Sequence, residues 1–310
     1  MSAAVVPQRA AERPSRGTRR LVALGAATLC AFGGLGLVAP RWVAPERPAQ
    51  LAHAPRDVIA RAAGRATPPA PAVAPLESGT CGPDMQLVAG TYCPYVGHRC
   101  LEWIQENRDR CRRYDEKILC EGQKVQKRFC IDRYEYPNQA GALPAVMTSW
   151  VEAEQACKAE GKRLCTESEW TFACEGEAKL PYPYGFERNA EACNIDRHYR
   201  DPNFSAFSHD RLISDEVSRL DQRVPSGAMS GCVSPFGVHD MTGNVDEWVV
   251  NEDPKLDKDE DVSSLKGGYW GPIRARCRPV TNSHNRWFRF YQVGFRCCAD
   301  PKGSTQPVLP

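Results

Sequence analysis

The sequence predicts a mixed α+β domain, rich in loops and stapled by disulfides, on three observations. Two helix-start signatures lie close together at Ser149 and Thr166, and the apolar runs elsewhere are short and broken by glycine and proline. Of 15 cysteines, all but Cys30 fall between Cys81 and Cys298. Loops bury too little apolar surface to offset the entropy of ordering them, so a domain built this way calls for covalent or metal support.

Taken from the N-terminus, residues 1–20 carry Arg9, Arg13, Arg16, Arg19 and Arg20, a basic stretch expected on the cytoplasmic side of a membrane. The uncharged segment Leu21–Ala39 follows. Its length suits a transmembrane anchor or a signal segment, and the membrane is the first partner expected. Everything after it is then expected outside the cytoplasm, in the cell envelope as a single-pass protein or secreted if the segment is cleaved. Residues 40–80, dominated by proline, alanine and arginine, read as an extended linker. Residues 81–300 hold the folded domain, and 301–310 read as a disordered tail.

With 40 basic and 38 acidic side chains the formal net charge is +2, which names no partner, and the expected compartment argues against nucleic acid. Behind an export signal, the cysteines from Cys81 onward are best explained as seven disulfides. No Cys-x2-Cys pair and no His-x3-His pair points to structural zinc.

Ser149-Trp150-Val151-Glu152 is a capping box: the serine side chain accepts from the amide three residues on, while the glutamate reaches back to the serine amide. Trp150, Ala153 and Cys157 then recur on one face, and Gly161 supplies the stop. Thr166-Glu167-Ser168-Glu169 repeats the device, with Trp170, Ala173 and Cys174 turned inward and an end near Gly176. The remaining apolar runs, such as Phe236–Val238, Trp248–Val250 and Phe288–Tyr291, are short, so loops should dominate and strands should be short.

Several motifs then occur in a telling order: Phe129-Cys130-Ile131-Asp132-Arg133-Tyr134-Glu135, Thr148-Ser149-Trp150, Gly161-Lys162-Arg163-Leu164, Thr166-Glu167-Ser168-Glu169-Trp170, Phe236-Gly237-Val238-His239-Asp240-Met241, Gly243-Asn244-Val245-Asp246-Glu247-Trp248, Lys266-Gly267-Gly268-Tyr269-Trp270 and Gly294-Phe295-Arg296-Cys297. From about Met85 to Cys298 the chain resembles the formylglycine-generating enzymes, also called sulfatase-modifying factors. The resemblance implies a variant of the C-type lectin fold and two disulfides, Cys157 with Cys297 and Cys174 with Cys277. It also implies structural calcium held by Gly243, Asn244, Val245 and Glu247, a hard-oxygen set of the kind calcium prefers. A second calcium site would start at Asn194-Ile195. Cys193 with Cys232 is a guess, and sequence alone does not pair Cys81, Cys93, Cys100, Cys111, Cys120, Cys130, Cys165 or Cys298.

Two departures bear on function. Asp246 stands where the family usually has tryptophan, and the interval from Gly268 to Cys277, where the enzymes carry two redox cysteines, contains none. Formylglycine formation needs two thiolates to hold copper(I), a soft-ligand preference, so copper is not expected here. The leading expectation is a binding or scaffold module. The alternative is a periplasmic oxidoreductase that tailors a peptide or small molecule with a carboxylate such as Glu135, Glu167, Glu169 or Glu247; a copper-dependent oxidase ranks last. No catalytic residue is assigned. Arg274, Arg276, Arg286 and Arg289 with Trp287 form the expected ligand patch, suited to an anionic peptide, glycan or small molecule.

Overall fold

The structure is a computed structural model that describes residues 79–105, 109–253 and 262–303. In chain order the elements are β1 (Met85–Tyr92), β2 (Tyr95–Val96), β3 (Cys100–Trp103), β4 (Cys111–Tyr114), β5 (Cys120–Glu121), β6 (Val125–Asp132), α1 (Trp150–Ala159), β7 (Arg163–Leu164), α2 (Glu167–Glu175), α3 (Asp210–Leu220), β8 (Asp246–Val250), β9 (Ser263–Lys266), β10 (Val280–Thr281), β11 (Val293–Phe295) and β12 (Cys297–Ala299). They form two four-stranded sheets, in the orders β1-β6-β12-β7 and β10-β9-β8-β11, with two small ribbons, β2-β5 and β3-β4. This is a mixed α+β, loop-rich architecture.

The first two helices begin where their caps dictate. Ser149 accepts from the Glu152 amide and Glu152 accepts from the Ser149 amide; Thr166 and Glu169 do the same for α2. Helix α1 buries only Trp150, Ala153 and Cys157, a stripe of one face, whereas α2 is buried from Glu169 through Glu175. Each helix stops as its chain enters a left-handed glycine, Gly161 at φ 70° and Gly176 at φ 64°. Helix α3 has no side-chain cap at His209 and was not foreseen; it exists because Leu220 and Glu216 face inward and Arg219 pairs with Glu216 at 2.6 Å.

Strand β12 separates two apolar cores. Cys297 faces a core of Trp150, Ala153, Leu164, Trp248 and Phe295, and its neighbour Cys298 faces the other core, with Val88, Phe129, Trp170 and Phe172. Trp170, Trp248 and Trp270 are all fully buried, each contributing about 2–3 kcal/mol by area removed from water. Trp248 Nε1 donates to the Thr148 carbonyl at 2.8 Å, and Trp150 Nε1 returns a bond to the Val249 carbonyl at 3.0 Å. These reciprocal bonds lock α1 against β8.

Seven disulfides join every cysteine from Cys81 to Cys298: Cys81–Cys130, Cys93–Cys120, Cys100–Cys111, Cys157–Cys297, Cys165–Cys298, Cys174–Cys277 and Cys193–Cys232. One sequence expectation needs correction. The transmembrane helix is not upheld, because among the described residues no helix is long and apolar enough to cross a membrane. Residues 21–39, where the sequence places it, lie outside the described residues, as do most of the linker and most of the tail.

Candidate functional site

Strand β9 ends in Lys266 and runs into Gly267 (φ 88°) and Gly268 (φ 73°), a left-handed pair that only glycine adopts without strain. A Cβ on Gly268 would lie 3.0 Å from both Ala275 Cα and Ala275 Cβ, so the chain returns tightly over the turn. Under that return lies a cavity of about 190 Å³, lined by Asp246, Leu265, Gly267, Gly268, Ile273, Arg274, Arg276, Pro279 and Thr281.

Asp246 opens β8, its amide donating to the Gln292 carbonyl at 2.9 Å, and it keeps part of its surface open to the cavity. Burial pushes its carboxyl up to about 7; the Gly268 amide and Arg274 pull it down, and Glu247 adds to the rise. Arg274 is exposed and anchored by bonds from Nη2 to the Val280 carbonyl (3.0 Å) and Thr281 Oγ1 (3.3 Å). The Arg276 guanidinium lies 5.5 Å from the centre of the Tyr114 ring. The cavity thus combines a carboxyl that changes charge near neutrality with two fixed cations and apolar walls. Such a recess suits a small anionic group that also offers a hydrogen-bond donor.

The five-residue ligand patch is divided. Arg274 and Arg276 line this cavity, but Arg286, Arg289 and Trp287 do not. Arg289 pairs with Glu152 at the start of α1 at 3.2 Å, Arg286 carries a buried Nη2 without a partner, and Trp287 is 66% exposed.

The candidate carboxylates are mostly committed elsewhere. Glu169 is held by Arg163 through two bonds of 2.7 Å, and Glu135 is fully buried, accepting from Ser226 Oγ and Asn244 Nδ2. Glu167 lines a second, wider cavity of about 670 Å³ with Tyr92, Lys127, Asn251 and Glu252. That groove is larger, yet it lacks the tight turn. Asp246 is the residue that sequence reasoning left without a role; its departure from tryptophan was the available signal.

The calcium set was tested by its donors. Glu247 is 1% exposed and both its oxygens are taken, Oε2 by Arg296 Nε (2.6 Å) and Trp170 Nε1 (2.8 Å), Oε1 by Arg296 Nη2 (2.7 Å). Asn244 Oδ1 accepts from Asn194 Nδ2 (3.0 Å) and the Val224 amide (2.9 Å), which uses both its lone pairs. These side chains do not fit a metal as they stand. Among the described residues no group of three or more His, Cys, Asp or Glu side chains is placed to hold a metal ion.

A disulfide-stapled α+β domain with a small polar cavity beneath a Gly-Gly turn defines the class. The chain belongs to the sulfatase-modifying factor enzyme 1-like domain family, whose profile matches residues 97–301. It is 30% identical over 167 residues to the inactive C-alpha-formylglycine-generating enzyme 2 of Bos taurus, covering 51% of this chain and 50% of that protein. It is 25% identical over 177 residues to the formylglycine-generating enzyme of Mus musculus, covering 51% of this chain and 44% of that one. The chain therefore spans about half the length of the first curated relatives it matches. Among solved structures it is similar to PvdO from Pseudomonas aeruginosa, with a TM-score of 0.45 and 16% identity over 70% of this chain and 94% of that one. CarF is matched with a TM-score of 0.44 and 17% identity, over 70% and 98% of the two chains.

Proposed function

We propose that this chain is an extracytoplasmic domain of the sulfatase-modifying factor family that binds a ligand and does not form formylglycine. One observation carries the reading: all the cysteines from Cys81 to Cys298 are spent in disulfides, so none is left to supply a thiolate pair beside Gly268. Copper(I) oxidation needs such a pair. The similarity to a relative named as inactive agrees with this, and so dense a disulfide framework suits an oxidising compartment. We take the fold to be the variant of the C-type lectin fold that the resemblance implies, with the long connections free to vary around a stapled frame.

The ligand is an anionic small molecule or peptide group, seated on Arg274 and Arg276 with Asp246 accepting from its donor. A second reading follows from Asp246 alone. A carboxyl that titrates near 7 beside two guanidinium groups is matched to general acid/base work, as an oxidative tailoring enzyme would need.

The test is alkylation of the full chain without reduction, followed by peptide mapping. Label confined to Cys30 is expected; label on any two cysteines between Cys81 and Cys298 overturns the non-oxidase reading. Thermal-shift screening of carboxylates and sulfated or phosphorylated compounds against the wild type and an Arg274→Ala/Arg276→Ala variant then separates binding at this cavity from binding elsewhere.

A further inference from the structure

We propose that Arg197 and Arg296 serve as covalently attached cations in the two turns where the family resemblance implies calcium, so that this domain folds and holds its shape without a divalent metal. The proposal stands on how the oxygen atoms of both turns are used. In the turn after Gly243, the Glu247 carboxylate is clasped edge-on by the Arg296 guanidinium, and both partners are buried at 0–1% exposure. Arg296 spends its remaining donors on backbone oxygens, Nη2 to the His239 carbonyl at 3.0 Å and Nη1 to the Asp132 and Arg133 carbonyls at 3.4 and 3.5 Å. One guanidinium thus gathers a carboxylate and three carbonyls around a single positive charge. That is a task a hard cation performs in oxygen-lined turns.

The second turn repeats the pattern with different parts. Asn194 Oδ1 accepts from Arg197 Nε at 2.8 Å, and Asn194 Nδ2 donates to the Gln222 carbonyl (2.9 Å) as well as to Asn244. Its neighbour Asp196, the nearest carboxylate in sequence, is held by Arg188 through Nε (2.7 Å) and Nη2 (3.0 Å) and by Arg110 Nη1 (2.6 Å).

The two turns are also one joint. The Asn244 amide donates to the Asn194 carbonyl at 3.0 Å, and a Cβ on Gly243 would sit 2.3 Å from that same carbonyl oxygen. Calcium takes six to eight oxygen ligands. To enter the first turn it would have to break the Arg296–Glu247 pair and leave a buried arginine without its counter-charge, and to enter the second it would have to displace Arg197 from Asn194 Oδ1.

The experiment is a pair of thermal melts of the full folded chain, one in excess EDTA and one in millimolar calcium chloride, with calorimetric titration of calcium chloride into chelator-treated protein. Superimposable melts and no saturable heat are expected. A melting temperature lowered by EDTA and restored by calcium overturns the proposal. Arg296→Met is expected to fall by many degrees and is at risk of not folding. The less buried Arg197→Ala therefore gives the second reading: it should melt several degrees below wild type in EDTA, and a wild-type melt for that variant removes Arg197 from the role.

Discussion

Cys297 and Cys298 are adjacent on β12, yet they close disulfides on opposite sides of the sheet, one to Cys157 of α1 and the other to Cys165 ahead of α2. Successive side chains on a strand alternate faces, so two neighbours can pin two cores at once. Together with Cys174–Cys277 these bonds span 140, 133 and 103 residues of sequence.

Removing Cys165–Cys298 as a Cys165→Ala/Cys298→Ala pair is expected to lower unfolding free energy by about 4–5 kcal/mol, from the loop entropy returned to the unfolded chain. Guanidinium titration measures it. A loss below about 1 kcal/mol would show that packing alone holds the two segments.

Arg278 offers a different kind of test. Its guanidinium pairs with the fully buried Glu175 (2.6 and 2.7 Å) and donates to the carbonyls of Cys93 and Pro94 (2.6 and 2.8 Å). Arg278→Met strands a buried carboxylate and should cost about 3–5 kcal/mol, while Arg278→Met/Glu175→Gln should recover part of that loss. Equal destabilisation of the single and double variants would remove the pair from the argument.

Asp240 predicts a pH response. Burial raises its carboxyl to about 6, with the Gly227 amide and Arg296 opposing, so the folded state binds the proton more tightly than the unfolded state does. Its contribution to stability is therefore fully present below the ordinary aspartate range and is lost as pH rises through about 6. Asp240→Asn should flatten the stability profile between about pH 4 and 6 and melt higher than wild type at neutral pH. An unchanged profile would assign that slope to other groups.

Asp246 is expected to titrate near 7, observable by carboxyl carbon NMR on the labelled protein. A midpoint below about 5 would mean the cavity is wetter than its walls suggest, and would end its candidacy as an acid/base group.

The helices at Ser149 and Thr166 were legible because capping is local chemistry, complete within four residues. Helix α3 was not, since its start at His209 lacks a side-chain cap and its support comes from distant Asn203 and Arg200. The site divided in the same way. Asp246 announced itself as a substitution in a motif, but its raised carboxyl depends on Leu265, Ile273 and Pro279, which only the tertiary fold delivers. The arginines of the C-terminal segment read as one patch because they are close in sequence, whereas only Arg274 and Arg276 line the cavity and Arg289 pairs with Glu152.

The three long-range disulfides share another property, namely that each has its second cysteine between residues 277 and 298. During synthesis or export, a nascent chain that has emerged only as far as residue 276 can form none of them, however well α1 and α2 have already coiled. Native pairing of these three cysteines therefore waits for the last two dozen core residues, and a chain truncated just before Cys277 leaves Cys157, Cys165 and Cys174 without their native partners.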